Sequence, residues 1–203
     1  MDLPSILPNR INGADAATEA VMTKFDPHTG KEQRKVARST AGDVESAVAS
    51  AAAAQREWGA MTAVARGKIL LEGARLMKDR TPEIAEVVAA ETGKAPKEAA
   101  GETGGGIQQA EYFAGEGMRL HGRSLQSGMP GKYTNTIREP HGVVGLIIAA
   151  NTPIANVAWK VFPALVCGNA AVLKSAEDTP ATSTMPARSW SASWKRPACR
   201  RVS

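Results

Sequence analysis

The sequence predicts an α/β protein in which short strands lead into a run of helices and the helices into a parallel strand, helix, strand unit. Two observations carry this. Between residues 40 and 120 apolar side chains recur at helical spacing. "GVVGLIIAA" (142–150) and "AAVLK" (170–174) are short runs, apolar on both faces, that suit strands covered by helices on either side. The stretch joining them is long enough for a crossover helix, which such units make right-handed.

Taken in order, residues 10–38 read as short strands and turns. Asp26-Pro27-His28-Thr29-Gly30 forms a turn in which proline sets φ and glycine closes the bend. In "TAGDVESAVASAAAAQREW", Val44, Ala47, Val48, Ala51 and Trp58 form a stripe behind Thr40, an N-cap with Asp43 three residues on. Residues 62–79 repeat the pattern with Ile69, Leu70, Leu76 and Met77. In "TPEIAEVVAAETGK", Thr81 is read as the cap, Pro82 as a first-turn residue and Gly93 as the left-handed stop.

Residues 95–120 predict one longer helix, weakened by Gly104, Gly105 and Gly106. "GETGGG" has no strand before it and "ETGK" runs into Ala95 instead of Ser or Thr, so neither reads as a phosphate loop. "KYTNTIREP" alternates in the manner of a solvent-facing strand at an edge. Pro153 then suits a first helical turn capped by Asn151 or Thr152. Val157, Phe162 and Leu165 pack inward, and Gly168-Asn169 turns the chain. Ligands on parallel sheets bind beyond the carboxyl ends of the strands, where Asn151 and Lys174 both fall.

Composition bounds the function. A chain of 203 residues with 43% hydrophobic content builds one substantial core. The opening Met-Asp-Leu-Pro lacks a basic start and an apolar stretch, and nothing approaches the roughly 18 apolar residues of a membrane span, so a cytoplasmic protein is expected. Cys167 and Cys199 lack metal or redox spacing, and Cys167 reads as sitting in an apolar setting that would raise its thiol. His28, His121 and His141 read as loop or surface residues, and no metal site is expected.

The net charge of +5 invites a nucleic-acid reading, and its placement argues against one. Five of the 25 basic side chains (Arg188, Lys195, Arg196, Arg200 and Arg201) lie in residues 184–203, which hold no acid, leaving 20 basic against 20 acidic groups in the body. No nucleic-acid partner is expected.

The stretch "EPHGVVGLIIAANTPIANVAWKVFPALVCGNAAVLKSAED" (139–178) resembles the cofactor-domain signature of the NAD(P)-dependent aldehyde dehydrogenases. "FDPHTGK", "ETGK" and "HGRS" fall in the same order along residues 10–183. The resemblance implies the N-terminal part of that fold, with helices and an incomplete Rossmann-like parallel sheet. It also implies oxidation of an aldehyde through a cysteine thiohemiacetal, with hydride passing to the nicotinamide.

In that scheme Asn151 matches the oxyanion-hole asparagine, whose fixed amide steadies the charge that develops on the aldehyde oxygen. A plain helix cap is the structural alternative, and the two are compatible. Lys174 matches the lysine that reaches the adenosine ribose, and Glu177 the carboxylate that accepts from its hydroxyls. A carboxylate there favours NAD over NADP. Two departures stand out: Ala149-Ala150 replaces Pro-Trp before the asparagine, and Ser175 replaces a frequent proline, so the substrate stays open.

The same resemblance divides the chain. Residues 1–121 form the first part of the cofactor-binding domain, and residues 122–140 a ribbon through which subunits of the family associate. Residues 141–183 form the first βαβ of the NAD sheet, and residues 184–203 a basic tail that abandons helical spacing. The family's second glycine fingerprint, general-base glutamate and nucleophilic cysteine do not appear, so the chain alone is expected to be inactive. One back-translation of Trp194–Ser203, shortened by two bases, encodes Glu-Ala-Ala-Gly-Leu-Pro-Ala-Gly-Val, which points to a shifted frame near residue 184. A non-catalytic module that pairs through residues 122–140 with an intact subunit is the alternative function.

Overall fold

The computed structural model describes residues 3–16 and 18–194, with side-chain surroundings described to residue 187. Five short strands open the chain: β1 (Ile6–Leu7), β2 (Asn9–Ile11), β3 (Ala14–Ala16), β4 (Val21–Phe25) and β5 (Glu32–Ala37). β2 and β3 form a hairpin across Asn12 and Gly13, both with positive φ (51° and 69°), as a tight turn between right-twisted strands requires. β5 lies between β1, to which it is parallel, and β4, to which it is antiparallel. The β4–β5 connection is the predicted turn. The Asp26 carboxylate accepts from the His28 and Thr29 N–H groups at 2.9 and 2.8 Å, and these bonds hold it below its ordinary value.

Four helices follow: α1 (Ala41–Ala60), α2 (Ala63–Asp79), α3 (Thr81–Thr92) and α4 (Pro96–Gly115), the last ending in a 3-10 turn (Glu116–Met118). α1 begins with the predicted capping box of Thr40 and Asp43. Its expected apolar stripe is not buried, however. No residue of α1 is buried, and Val44 and Val48 are exposed. The stripe divides along its length, the two valines open to solvent and Ala47, Ala51 and Trp58 half-buried. The helix docks by its C-terminal third, where the Trp58 indole donates to the Leu165 carbonyl at 2.8 Å and the Gln55 amide to that of Gly168 at 3.2 Å.

A second correction concerns Thr81. It is the first residue of α3, not its cap, and its hydroxyl donates backward to the Lys78 carbonyl at 2.7 Å. α2 and α3 join at Arg80 with no spare residue, so the hydroxyl closes the end of α2 instead of opening α3. Gly93 takes the left-handed stop as predicted (φ 75°).

The ribbon of β6 (Ser124–Gln126) and β7 (Tyr133–Asn135) is antiparallel and exposed throughout. The parallel pair β8 (Val143–Ile147) and β9 (Ala170–Lys174) flanks α5 (Pro153–Val166), and α6 (Pro180–Trp194) closes the described fold. β8 differs from the central strand expected: among the described residues its one partner is β9, and Ile147 is 70% exposed. The sequence stretch read as leaving helical spacing continues α6 as far as Trp194. The remainder of the basic tail, Cys199 and most of the proposed frame shift lie outside the described residues.

The main core gathers Leu70 and Met77 of α2, Ile84 and Val88 of α3, Ile107 of α4, and Ile154 and Phe162 of α5. A smaller cluster of Ile148, Val157 and Val161 lines the opposite side of α5 beneath the sheet. Between helices sits a buried arginine. The Arg66 guanidinium donates to the carbonyls of Val166 (3.0 Å), Gly59 (3.4 Å) and Met61, and burial pulls it below its ordinary value. Gly168, at φ 90°, packs against it where a Cβ would come within 3.2 Å of the guanidinium carbon.

Candidate functional site

β8 and β9 run parallel with Ile147 opposite Lys174, and the Ile148 N–H donates to the Lys174 carbonyl at 3.2 Å. Both strands therefore reach their carboxyl ends at one rim. Asn151, four residues past the end of β8, is exposed there. It lines a cleft of about 300 Å³ together with Lys24, Glu91, Lys94, Asp178 and Thr179. A larger hollow of about 480 Å³, bounded by Lys78, Gly104, Gly105 and Glu111, contains none of the three predicted site residues.

Lys174 and Glu177 stand at the same rim but outside that cleft. Their side chains pair at 3.1 Å, both exposed to solvent. The Glu177 carboxylate is held below its ordinary value, first by its own backbone N–H and then by the Lys174 ammonium. It is thus an ionised acceptor beside a cation, a pair suited to hydroxyl groups.

Neither Asn151 nor Thr152 caps α5 with its side chain. The reason is local. The Thr152 hydroxyl and carbonyl are taken by the Asn156 amide at 3.1 and 3.0 Å, and Pro153 has no N–H to satisfy. The cap comes from another helix: Glu102 of α4 accepts from the Ile154 N–H at 3.1 Å. Glu102 is paired in turn with Lys94, whose ammonium also donates to the Asn151 carbonyl at 2.6 Å.

α6 is capped in the same manner. Glu91, 2% exposed, receives the Ala181 and Thr182 N–H groups at 2.9 and 2.7 Å. Burial outweighs those bonds and pushes its carboxyl above the ordinary range. The "ETGK" turn, with Gly93 at its bend, thus sends Glu91 to the start of α6 and Lys94 toward the start of α5. Sequence reading dismissed that turn as a phosphate loop and found no role for Glu91, Lys94 or Glu102. Sequence separations of 90 and 52 hide such caps from local patterns.

Cys167 is the C-cap residue of α5 and is exposed, which overturns the apolar setting predicted for it. The three histidines are exposed, and no group of three or more His, Cys, Asp or Glu side chains among the described residues could hold a metal ion.

The family model described as "Aldehyde dehydrogenase family" matches residues 14–193. The chain is 44% identical over 147 residues to the alpha-ketoglutaric semialdehyde dehydrogenase of Bacillus subtilis (strain 168), a match covering 72% of this chain and 30% of that protein. Among solved structures, lactaldehyde dehydrogenase from Escherichia coli superposes with a TM-score of 0.89 at 28% identity, covering 94% of this chain and 40% of that one. A putative methylmalonate-semialdehyde dehydrogenase from Sinorhizobium meliloti 1021, complexed with NAD, gives a TM-score of 0.86 at 29% identity, with 95% and 39% covered. The chain spans about a third of the length of the curated relative it matches.

Proposed function

Since the chain belongs to the aldehyde dehydrogenase family, we propose that it is the cofactor-binding portion of an NAD-dependent enzyme that oxidises an aldehyde. The observation that carries this is the parallel register of β8 and β9, with Asn151 beyond one strand end and the Lys174–Glu177 pair at the other. In this reading the Asn151 amide donates to the aldehyde oxygen as negative charge builds on it. Lys174 donates to, and Glu177 accepts from, the hydroxyls of the adenosine ribose.

The residues present fit that half of the cofactor. An exposed, ionised carboxylate beside an ammonium matches a diol, and it repels a 2′-phosphate. NAD, when bound, supplies the hydride acceptor; this chain orients its ribose and steadies the substrate oxygen. Cys167, exposed at the end of α5, stands apart from the Asn151 cleft lining, and the chain by itself is read as inactive. A cytoplasmic setting accompanies this reading. Among the described residues no helix is long and apolar enough to cross a membrane.

Titration of the purified chain with NAD, following tryptophan fluorescence, tests the reading. Trp159 of α5 is half-exposed and serves as reporter. The expected result is a saturable change with NAD, with NADP binding about tenfold more weakly, equivalent to about 1.4 kcal/mol. No response to either dinucleotide, or a preference for NADP, defeats it.

One observation favours a second role. The β6–β7 ribbon presents Tyr133, 86% exposed, on one face and Leu125 on the other, and among the described residues β7 pairs on one edge alone. We propose that residues 122–140 pair with another subunit, either a second copy or an intact relative, through that edge. Size-exclusion chromatography at rising concentration, alone and mixed with a full-length relative, reads it out. A monomer that never co-elutes rejects the role.

A further inference from the structure

The Lys94, Glu102 and Asn151 geometry forms a closed circuit. The Lys94 ammonium donates to the Asn151 carbonyl at 2.6 Å and to one oxygen of Glu102. The other oxygen of Glu102 accepts from the Ile154 N–H at 3.1 Å. Between those two anchors lie only Thr152 and Pro153. The peptide leaving Asn151 is gripped at its carbonyl and the peptide entering Ile154 at its N–H, both by one ion pair.

Each member is placed for this. Lys94 directly follows Gly93, whose φ of 75° turns the chain from α3 toward α5. Glu102 lies on the second turn of α4, with its side chain 6% exposed, and Lys94 is 24% exposed, so solvent screens the pair little. Gly106, one turn further along α4, is where that helix meets α5, a Cβ there reaching 3.4 Å from the Ile154 carbonyl. A carboxylate at the positive end of α5 is favoured by the unsatisfied first-turn N–H groups. With the Thr152 side chain engaged by Asn156 and no N–H on Pro153, Ile154 is the first donor in need of an acceptor.

We propose that Lys94 and Glu102 are positioning residues: as a pair they fix the backbone of Asn151–Ile154 and so aim the Asn151 amide into the cleft. This deepens the function proposed above, because the direction of that amide matters through the oxyanion role of Asn151. The backbone restraint itself stands without it.

The test is residue-resolved amide NMR on the whole chain. In Glu102→Ala the Ile154 amide should exchange at least about tenfold faster, while amides in the second half of α5 stay within about twofold of the parent. In Lys94→Met the Thr152 backbone amide and the Asn151 side-chain amide should shift, and in Lys94→Arg, which keeps a cation able to bridge both acceptors, they should return toward the parent positions. Glu102→Gln, the milder variant, retains an acceptor for Ile154 and should keep its protection.

Three outcomes overturn the proposal: parent-like Thr152 and Ile154 signals in Lys94→Met and Glu102→Ala; Lys94→Arg indistinguishable from Lys94→Met; or uniformly faster exchange across α2 to α5 in every variant, which would make the pair a general stabiliser. NAD titration of the same samples separates the two readings. A parent that does not bind NAD removes the functional meaning and leaves the exchange result. A parent that binds NAD, with no local change in the variants, sinks the positioning role alone.

Discussion

α5 has two sides, and they are covered very differently. Its inner side, with Ile154 and Phe162, closes against α2, α4 and α6 in a core that excludes solvent. Its outer side, with Val157 and Val161, meets only β8 and β9, each of which has a single strand partner among the described residues. Ile147, whose neighbours Leu146 and Ile148 pack on α5, is exposed on the other face of β8, and Trp159 is half-exposed. The helical core is complete in itself, whereas the sheet is held by α5 and by α1, which also packs against both strands. A pair of parallel strands has little independent stability.

The largest effect should separate those two sides directly. Phe162→Ala, which empties a fully buried site, should cost about 3–5 kcal/mol in urea unfolding. Ile147→Ala, at the exposed strand end, should change stability by about 0.5 kcal/mol or less. Comparable losses at both would mean that the sheet face is covered in solution, and the contrast would fail.

Within the helical layer a smaller effect should change sign with location. A Cβ on Gly67 would stand 2.6 Å from the Ala114 carbonyl, so Gly67→Ala should destabilise by about 1–3 kcal/mol. Gly104 and Gly105 meet nothing within 4 Å, and each replacement by alanine should stabilise by about 0.8–1 kcal/mol through helix propensity alone. Thermal melts of the single variants check both signs.

The smallest effect concerns pH. Burial raises the folded-state value of Glu91 above the unfolded one, so the folded chain binds that proton more tightly. The resulting stability is complete below the unfolded carboxyl value and is lost as pH climbs through the folded value. Glu91→Gln titrates nothing and still offers an acceptor to the start of α6. Its melting temperature should therefore gain on the parent as pH rises above the ordinary carboxyl value of about 4. A gap that stays constant or shrinks as pH rises would contradict the burial argument.

What could be read from the chain before its fold was known follows from range. Thr40 with Asp43, and Gly93 at its stop, act within three or four residues, and both behave as local rules require. The βαβ order of residues 142–174 was legible because its apolar runs have strand and helix lengths. Asn151, Lys174 and Glu177 are candidates that only family resemblance supplies, and the strand register brings Asn151 and Lys174 to one rim.

Glu91 and Glu102 were missed because a charged residue on a helix ordinarily faces water, and nothing nearby announces that another helix begins above it. Thr81 misled for a related reason: a threonine before a proline suits a cap, but here the preceding helix ends with no gap. Cys167, flanked by apolar residues, came out exposed because it sits where α5 stops, and sequence neighbours say little about the direction a terminal residue faces.

Arg66 sets one junction apart from all these carboxylates. Its charge is met by carbonyl oxygens at the ends of α1 and α5 and not by an acid. Acidification offers nothing there to protonate, and counterions have no exposed charge to shield. The seam that seats the start of β9 on the helices should therefore stay fastened in acid and in brine alike, after the ion pairs at the rim have let go.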